Sequence, residues 1–337
     1  MHRCVIACTA ALPAMLGHNL THAGELSDIP FSLRLPAALA RFSPYNDVAG
    51  VGGASVASKY QTSINPAAID WEAALARPYS ASAQLSGIAF QHGATVWVAS
   101  EALGVKTDRW GTFQLAAAQI GNNGDIGRDK QLFEGDYAQI QWGYRSNEFA
   151  VGLNFSYTSL DTTTGQDGVI FARGHSGTYT YRGGLLGALS DRWMVGLVAE
   201  VARSPADLSI ADATCACTFG IHDTAKQVVV RPGISFTYAE QSSIYIDYQY
   251  ARYSNFEGAF KTNRIFAGVE HRVMTWIFAR AGFAFDFRGT FSPTAGIGIY
   301  PSDAVSIDVS YQYNMYPELG PEFGKSNLLG ISLSVSF

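Results

Sequence analysis

The sequence predicts an all-β protein, a transmembrane antiparallel β-barrel of about 14 strands with an N-terminal hatch (plug) inside the lumen. Three observations predict this class: few charged residues, a two-residue alternation of apolar and polar side chains, and connections of alternating length. Charged residues make up 15% of the 337 residues, whereas a soluble domain has about 25%. The net charge of −5, without a basic cluster, argues against nucleic acid as the main partner.

Residues 1–23 have the pattern of a secretory signal peptide, with Arg3, an apolar run over 4–16 and a small-residue cleavage pattern over 21–23. A lipoprotein signal at Cys8 is the alternative, but the apolar stretch before it is too short. No later segment has 18 consecutive apolar residues, so we expect no membrane-spanning helix. A closed β-barrel is the other structure that pairs all backbone amides within a membrane.

Period-two alternation identifies the strands. In 149–158, "FAVGLNFSYT", large apolar residues alternate with small or polar ones, and 243–250, "SIYIDYQY", and 331–337, "ISLSVSF", repeat the pattern. This alternation is typical of a barrel wall between lipid and a polar lumen. The predicted strands are 79–90, 94–103, 110–120, 135–145, 147–160, 176–190, 192–203, 226–239, 242–254, 262–273, 275–286, 294–301, 302–315 and 325–337.

Connections in this strand pattern alternate between long segments, such as 121–135 and 204–225, and very short ones, such as "SN" and "PSD". Outer-membrane barrels have long external loops and tight periplasmic turns. A soluble β-sandwich is the alternative, but nothing forces its connections to alternate. We therefore expect a barrel over 78–337 and a hatch over 24–77.

Aromatic and charged residues fit this arrangement. Aromatic residues near the tight turns predict an interfacial girdle: Trp142, Tyr144, Trp193, Tyr238, Trp276 and Tyr300. Charges on the polar face must point inward, because a charge facing lipid costs about 2–4 kcal/mol near the midplane. They form either a structural lattice of ion pairs or a selectivity ring. The predicted lumen charges are Arg231, Asp247, Arg264, Glu270, Arg272 and Arg280.

Residues 49–69, "AGVGGASVASKYQTSINPAAI", carry a family resemblance. A Gly/Ala-rich run that leads to Asn65-Pro66-Ala67, ahead of fourteen strands, resembles the hatch of the FadL/TodX family of outer-membrane transporters for hydrophobic compounds. The resemblance implies that these three residues help to bind substrate. A plain turn at the Asn-Pro pair is the alternative. The chain departs from the family at Ala68 and Ile69, where a glycine and a large apolar residue are frequent.

The resemblance also implies transport without chemistry: an apolar solute lodges in the lumen, the hatch rearranges, and the solute leaves laterally or below. Members of the family are thought to open at a kink in the third strand. The small residues Ala116, Ala117, Ala118 and Gly121 are the candidates for such a kink here. An unbroken third strand would count against this hypothesis.

Two other chemistries are weighed and set aside. His175 and Ser176 are adjacent on a strand, so they point to opposite faces and cannot easily share a proton, and no orienting acid is evident nearby. Cys215 and Cys217, with His222 and Asp223, fit a disulfide or two separate thiols better than a metal clip. We expect no enzyme activity, no cofactor and no metal.

The prediction is therefore a monomeric barrel in the outer membrane of a Gram-negative bacterium that takes up hydrophobic or amphipathic small molecules, such as long-chain fatty acids or hydrocarbons. A general channel or scaffold, whose hatch serves assembly or partner docking, is the alternative. The expected partners are membrane lipid, the apolar ligand and the barrel-assembly machinery. The last of these would recognise the final strand that ends at Phe337.

Overall fold

A computed structural model describes residues 49–51, 53–58, 64–71, 77–93, 95–122, 125–126, 129–166, 169–212 and 217–337. The expected signal peptide and the first part of the expected hatch lie outside these residues. None of the helices in this part of the chain is long and apolar enough to cross a membrane.

Strands dominate the described chain. Their bounds are β1 (Tyr79–Phe90), β2 (Thr95–Thr107), β3 (Gly111–Asn122), β4 (Asp125–Ile126), β5 (Asp129–Ser146), β6 (Phe149–Gln166), β7 (Val169–Ala188), β8 (Trp193–Asp212), β9 (Cys217–Ala239), β10 (Ser242–Asn255), β11 (Gly258–Met274), β12 (Ile277–Asp286), β13 (Thr290–Ser302), β14 (Val305–Tyr313) and β15 (Ser326–Ser336). Short helical segments are Ala49–Val51, Pro66–Asp70, Pro317–Leu319 and α1 (Gly320–Phe323).

Fourteen strands form a closed antiparallel barrel. Each pairs with its neighbour in the chain, β3 pairs with β5, and β1 pairs with β15 from Ser80↔Ser336 to Phe90↔Ser326. The two-residue β4 pairs with β5 at the edge of this wall. Closure pairs the edge amides that an open sheet would expose. We call the end where β1 begins and β15 ends the proximal end, and the opposite end the distal end.

The two faces of the wall differ as the alternation predicts. On β10 the apolar Ile244 and Ile246 are exposed, whereas Tyr245 and Asp247, which alternate with them, are buried. Leu85, Leu153, Leu197, Ile297 and Leu333 are exposed in the same way on other strands. Since the sheet closes on itself, the buried face is the interior, and charged side chains such as Glu200, Asp247 and Arg264 lie on it.

The distal connections differ from the prediction. The expected long loops over 121–135, 161–175 and 204–225 are mostly strand: β8 continues to Asp212 and β9 begins at Cys217. Threonine-rich polar sequences such as "DTTTG" favour strand pairing, so polarity here reflects solvent exposure of the hairpins rather than loop structure. Strand β9 has 23 residues, whereas ~10 strand residues cross a bilayer. At about 3.3 Å per residue, β9 is therefore much longer than a bilayer is thick.

The girdle is largely as predicted, with one correction. Tyr144, Trp193, Tyr238 and Trp276 are exposed near the proximal turns. Tyr300 instead lies on the interior face, where Arg280 Nη2 donates to its hydroxyl at 2.9 Å. Its position in β13 has the inward parity of Thr294 and Gly298, and this parity overrides its closeness to a turn.

Candidate functional site in the barrel interior

The described part of the N-terminal sequence packs against the interior wall. We call residues 49–51, 53–58 and 64–71 the inner segment. Its residues Val51, Val56, Asn65 and Ile69 are fully buried. The segment runs from β13 and β12 at Gly50 to β5 and β3 near residue 70, and so passes along most of the barrel's strands.

Glycines on the wall make this close approach possible. Seven of them face the inner segment, one on each of seven strands, and form what we call the glycine track: Gly143, Gly152, Gly184, Gly196, Gly233, Gly268 and Gly296. A Cβ at Gly152 would lie 2.2 Å from Pro66 C, and one at Gly196 would lie 2.2 Å from Val56 O. Any side chain on the track would therefore displace the inner segment.

Register links several members of the track. Gly143 is opposite Gly152, Gly152 is opposite Gly184, and Gly196 is opposite Gly233. These cross-strand pairs leave a groove in the wall that the inner segment fills. The track lies nearer the proximal end, since Gly143 is three residues from the end of β5 at Ser146.

The predicted motif is at the centre of this contact. The side chain of Asn65 donates from Nδ2 to Val56 O (2.7 Å) and Leu185 O (2.9 Å), and its Oδ1 accepts from Ala67 N (3.0 Å). It therefore caps the short helix Pro66–Asp70 and joins the inner segment to β7. The structure gives Asn65, Pro66 and Ala67 an internal packing role. Their contact with a substrate stays a prediction.

Asp247 forms a second anchor. It is buried on β10 and accepts from Ser55 N (2.9 Å), Val56 N (3.1 Å) and Arg231 Nη2 (2.9 Å). Arg231 also donates to the carbonyl of Gly53. Two of the predicted lumen residues thus hold the backbone of the inner segment, because a carboxylate and a guanidinium satisfy its amides and carbonyls away from water.

The other interior charges also pair. Arg280 binds Glu270 (Nε–Oε2, 2.6 Å) and Asp308, while Arg264 binds Asp286 (Nε–Oδ2, 2.7 Å) and Glu318. Such mutual pairing favours the structural lattice over a selectivity ring. Arg272 is a partial exception, because its partner Glu240 is 86% exposed and the pair lies at the proximal rim rather than within the lumen.

The third strand is unbroken. β3 pairs without a register shift with β2, from Val96↔Asn122 to Thr107↔Gly111, and with β5. Ala116, Ala117, Ala118 and Gly121 all take part in these ladders. Small side chains do not by themselves prevent pairing, which is a backbone property. The continuous strand counts against a lateral opening at these four residues.

An apolar patch covers the interior wall at the distal end. Residues of β1, β2, β3 and β15 form what we call the distal apolar wall: Ile88, Phe90, Val96, Val98, Ile120 and Leu328. Val96 packs against both of the clusters that make up this wall. The sequence prediction missed the patch because only the fold brings the four strands together.

The connection between β14 and β15, residues 314–325, folds over this patch and is called the distal loop. Its Phe323 and Tyr316 lie against Phe90, with ring centroids 5.5 and 6.4 Å apart. His92 N donates to Phe323 O at 3.1 Å, which ties the loop to the β1–β2 turn. Glu318 is fully buried and reaches Arg264 on β11, three strands from β14. The distal loop is therefore held at two places, the β1–β2 turn and Arg264 on β11.

Replacing Glu318 with Gln is expected to loosen the distal loop. The change removes the carboxylate charge that pairs with buried Arg264, at a cost of about 1–3 kcal/mol, which corresponds to roughly 5- to 100-fold faster local opening. Hydrogen exchange of residues 314–325 measures this. Glu257→Gln, an exposed acid in the β10–β11 connection, is the control and should leave exchange unchanged. Equal protection in both variants would show that the ion pair does not hold the loop.

The structure describes most of the residues considered for catalysis, at His175 and Ser176, and for metal binding, near Cys215 and Cys217. His175 has an acid partner that the sequence did not reveal, because Asp161 lies directly opposite it on β6 and bonds its Nδ1 at 2.8 Å. Ser176 has the other parity on β7, so it does not complete the pair. Cys215 lies outside the described residues, and His222 bonds Asp207 instead of a metal partner. Within the described ranges, no three His, Cys, Asp or Glu side chains group as a metal site.

The fold and interior define a class: a closed 14-stranded antiparallel barrel whose interior holds part of its own N-terminal sequence. No family model matches the sequence. No curated protein matches it either. Structural comparison, by contrast, finds solved barrels of the same fold.

The solved toluene transporter TodX of Pseudomonas putida is 11% identical, with a TM-score of 0.58 over 87% of this chain and 98% of that one. A TodX deltaS2S3 mutant, described as a monoaromatic hydrocarbon channel, gives 0.59 over 88% and 100%. A Pseudomonas aeruginosa FadL homologue is 12% identical, with 0.57 over 88% and 99%. The chain therefore resembles FadL and TodX in structure, as its sequence predicts. The two TodX structures are described as a transporter and as a channel, and the likeness establishes the fold.

Proposed function

We propose that the protein is an outer-membrane transporter of a Gram-negative bacterium that takes up hydrophobic or amphipathic small molecules without chemical change. The exposed apolar face of the closed wall supports a place in a membrane, because only a barrel pairs its backbone there without free edges. Aromatic residues at the proximal turns fit one interface. The likeness to transporters of hydrophobic compounds supports the direction of this proposal.

The observation that carries the proposal is the distal apolar wall. The interior of a general channel is polar, as it is through most of this barrel. An apolar patch under a loop is instead a surface on which an apolar solute gains about 25 cal/mol per Å² of buried area. In this proposal the solute replaces the contacts of Tyr316 and Phe323 with Phe90 and Ile88.

The inner segment supplies the second part of the proposal. It crosses the interior at the glycine track, proximal to the distal apolar wall, and is in this proposal part of a hatch over 24–77 that blocks the direct route. Solute would pass when this hatch rearranges. Asn65, with two bonds within the segment and one to β7, is placed to transmit that change.

Replacing Val98 with Asn is expected to weaken binding of an apolar ligand. The amide would be buried among Ile120, Ala118 and Tyr137, and an unpaired polar group there costs about 1–3 kcal/mol. Binding of the fluorescent fatty acid cis-parinaric acid to purified protein should therefore weaken by roughly 5- to 100-fold.

Ser100→Asn is the matched control for this variant. It adds the same amide two residues further along the inward face of β2, where the wall is already polar. This variant should bind as the unchanged protein does. If neither variant alters binding, the distal apolar wall is not the ligand site.

Mass spectrometry of extracts from the purified protein separates the transporter from a general channel or scaffold. The proposal predicts a retained apolar molecule and no ohmic ion conductance in planar bilayers. Conductance without a retained ligand, or a co-purifying protein partner, would support the alternative.

A further inference from the structure

Four basic residues border the distal edge of the exposed apolar face on four adjacent strands. We call Arg203 on β8, Lys226 on β9, Arg252 on β10 and Lys261 on β11 the basic rim. All four side chains are exposed and point outward from the barrel. None of them contributes to the interior lattice or to the inner segment.

Register places these cations side by side. Arg203 is directly opposite Lys226, and Arg252 is directly opposite Lys261. Arg252 is also opposite Val228, two residues along β9 from Lys226. Opposed residues have Cβ atoms about 5 Å apart, and three interstrand spacings span ~14 Å. The rim is therefore one continuous patch.

The patch consists of cations that lie opposite one another. Like charges directly opposite each other destabilise a sheet, and the basic rim contains two such pairs. Among the described residues, none of its four members forms an ion pair. Asp207, four residues beyond Arg203 on the same face of β8, is already bonded to His222 at 2.5 Å. An external anion would relieve the repulsion.

The surface beside the rim is apolar. Val201 and Val228, each two residues closer to the proximal end than a rim cation, are exposed, and so is Tyr179, which lies directly opposite Arg203. A ligand that satisfies both surfaces has acyl chains along the wall and negative charge at the rim. Arg and Lys bind phosphate well, and basic patches at membrane interfaces recognise lipid head groups.

We propose that the basic rim is a binding site for a membrane lipid whose head group carries two phosphates. The ~14 Å patch spans the separation of two phosphate groups, with one like-charge pair for each. The site rests on the membrane location in the proposed function, but it is independent of the cargo and of the distal apolar wall. It would hold the distal part of the barrel at a fixed height in the head-group layer.

Native mass spectrometry of the full protein in neutral detergent tests this site. Diphosphoryl lipid A should remain bound, whereas phosphatidylcholine should not, and monophosphoryl lipid A should bind more weakly. The variants R203Q/K226Q and R252Q/K261Q should each lower affinity for diphosphoryl lipid A about 10- to 30-fold. Heat-modifiable migration on gels verifies that the barrel remains closed in both.

R109Q/R192Q is the control, because these two arginines are exposed at proximal turns. It removes the same charge and should keep full affinity. An equal loss in the control would overturn the proposal, and so would equal binding of phosphatidylcholine. If inorganic pyrophosphate competes with the lipid at equal concentration, the site binds free phosphate and the lipid assignment is wrong. Cargo binding that persists without lipid binding would overturn this site alone.

Discussion

Replacing Gly184 with Val is expected to expel the inner segment from the barrel wall. A Cβ at this position lies 2.1 Å from Asn65 Oδ1 and 2.8 Å from Pro66 Cδ. Neither atom can yield easily, because Asn65 is bonded to Leu185 and Pro66 packs against Gly152. Overpacking costs about 1–3 kcal/mol, and each lost buried hydrogen bond adds about 1–3 kcal/mol. We expect this total free-energy cost to exceed the free energy that holds the inner segment in place.

Limited proteolysis and hydrogen exchange of residues 64–71 measure this displacement. The matched control is Gly183→Val on the same strand, because a Cβ at Gly183 has nothing within 4 Å. The control should retain full protection, and both variants should keep the closed barrel. If Gly184→Val protects the segment as well as the control does, the glycine track does not position the inner segment.

Strand positions were predictable because alternation is a local property. In 149–158 the large residues must face one way and Gly152, Asn154 and Ser156 the other, whatever lies nearby. The structure has this arrangement, with Leu153 exposed and Asn154 buried. Inward charges were predictable for the same reason. Asp247 alternates with isoleucines, and an unpaired carboxylate cannot face lipid without a large cost.

Contacts with the inner segment were not predictable in the same way. Gly152 looked like any small residue on the polar face, and its role depends on Pro66, which is distant in the sequence. The glycine spacing differs from strand to strand, so no single-sequence period reveals the track. The pairing of Glu318 was not predictable either, because its partner Arg264 lies on β11, three strands from β14. Pairings of this kind follow from barrel closure.

The N-terminal motif has an observed role that differs from the role its family resemblance predicted. The resemblance predicted that Asn65, Pro66 and Ala67 belong to a substrate pocket. In the structure their polar atoms bond within the protein, and their apolar surface fills the glycine track. In the proposed transporter, a residue that holds the inner segment in place would influence transport without touching the solute. Substrate contact would require the segment to move first.

Replacing Asp247 with Ala is expected to cause a large loss of stability. The change leaves Arg231 buried with an unpaired charge, and it leaves the amides of Ser55 and Val56 without their acceptor. Breaking a buried pair in this way costs about 3–5 kcal/mol. Urea unfolding of the protein in lipid vesicles measures the change in the free energy of unfolding.

Glu240→Ala is the control, because it breaks the exposed pair with Arg272 and should cost less than about 1 kcal/mol. The double variant Arg231→Met with Asp247→Leu removes both charges, so it should be less destabilising than Asp247→Ala alone. Together these results would separate the free-energy cost of burying the two charges from the stabilisation that their pairing provides. If Asp247→Ala and Glu240→Ala lose equal stability, the Asp247 anchor has no special role, and the inner segment is held by packing on the glycine track alone.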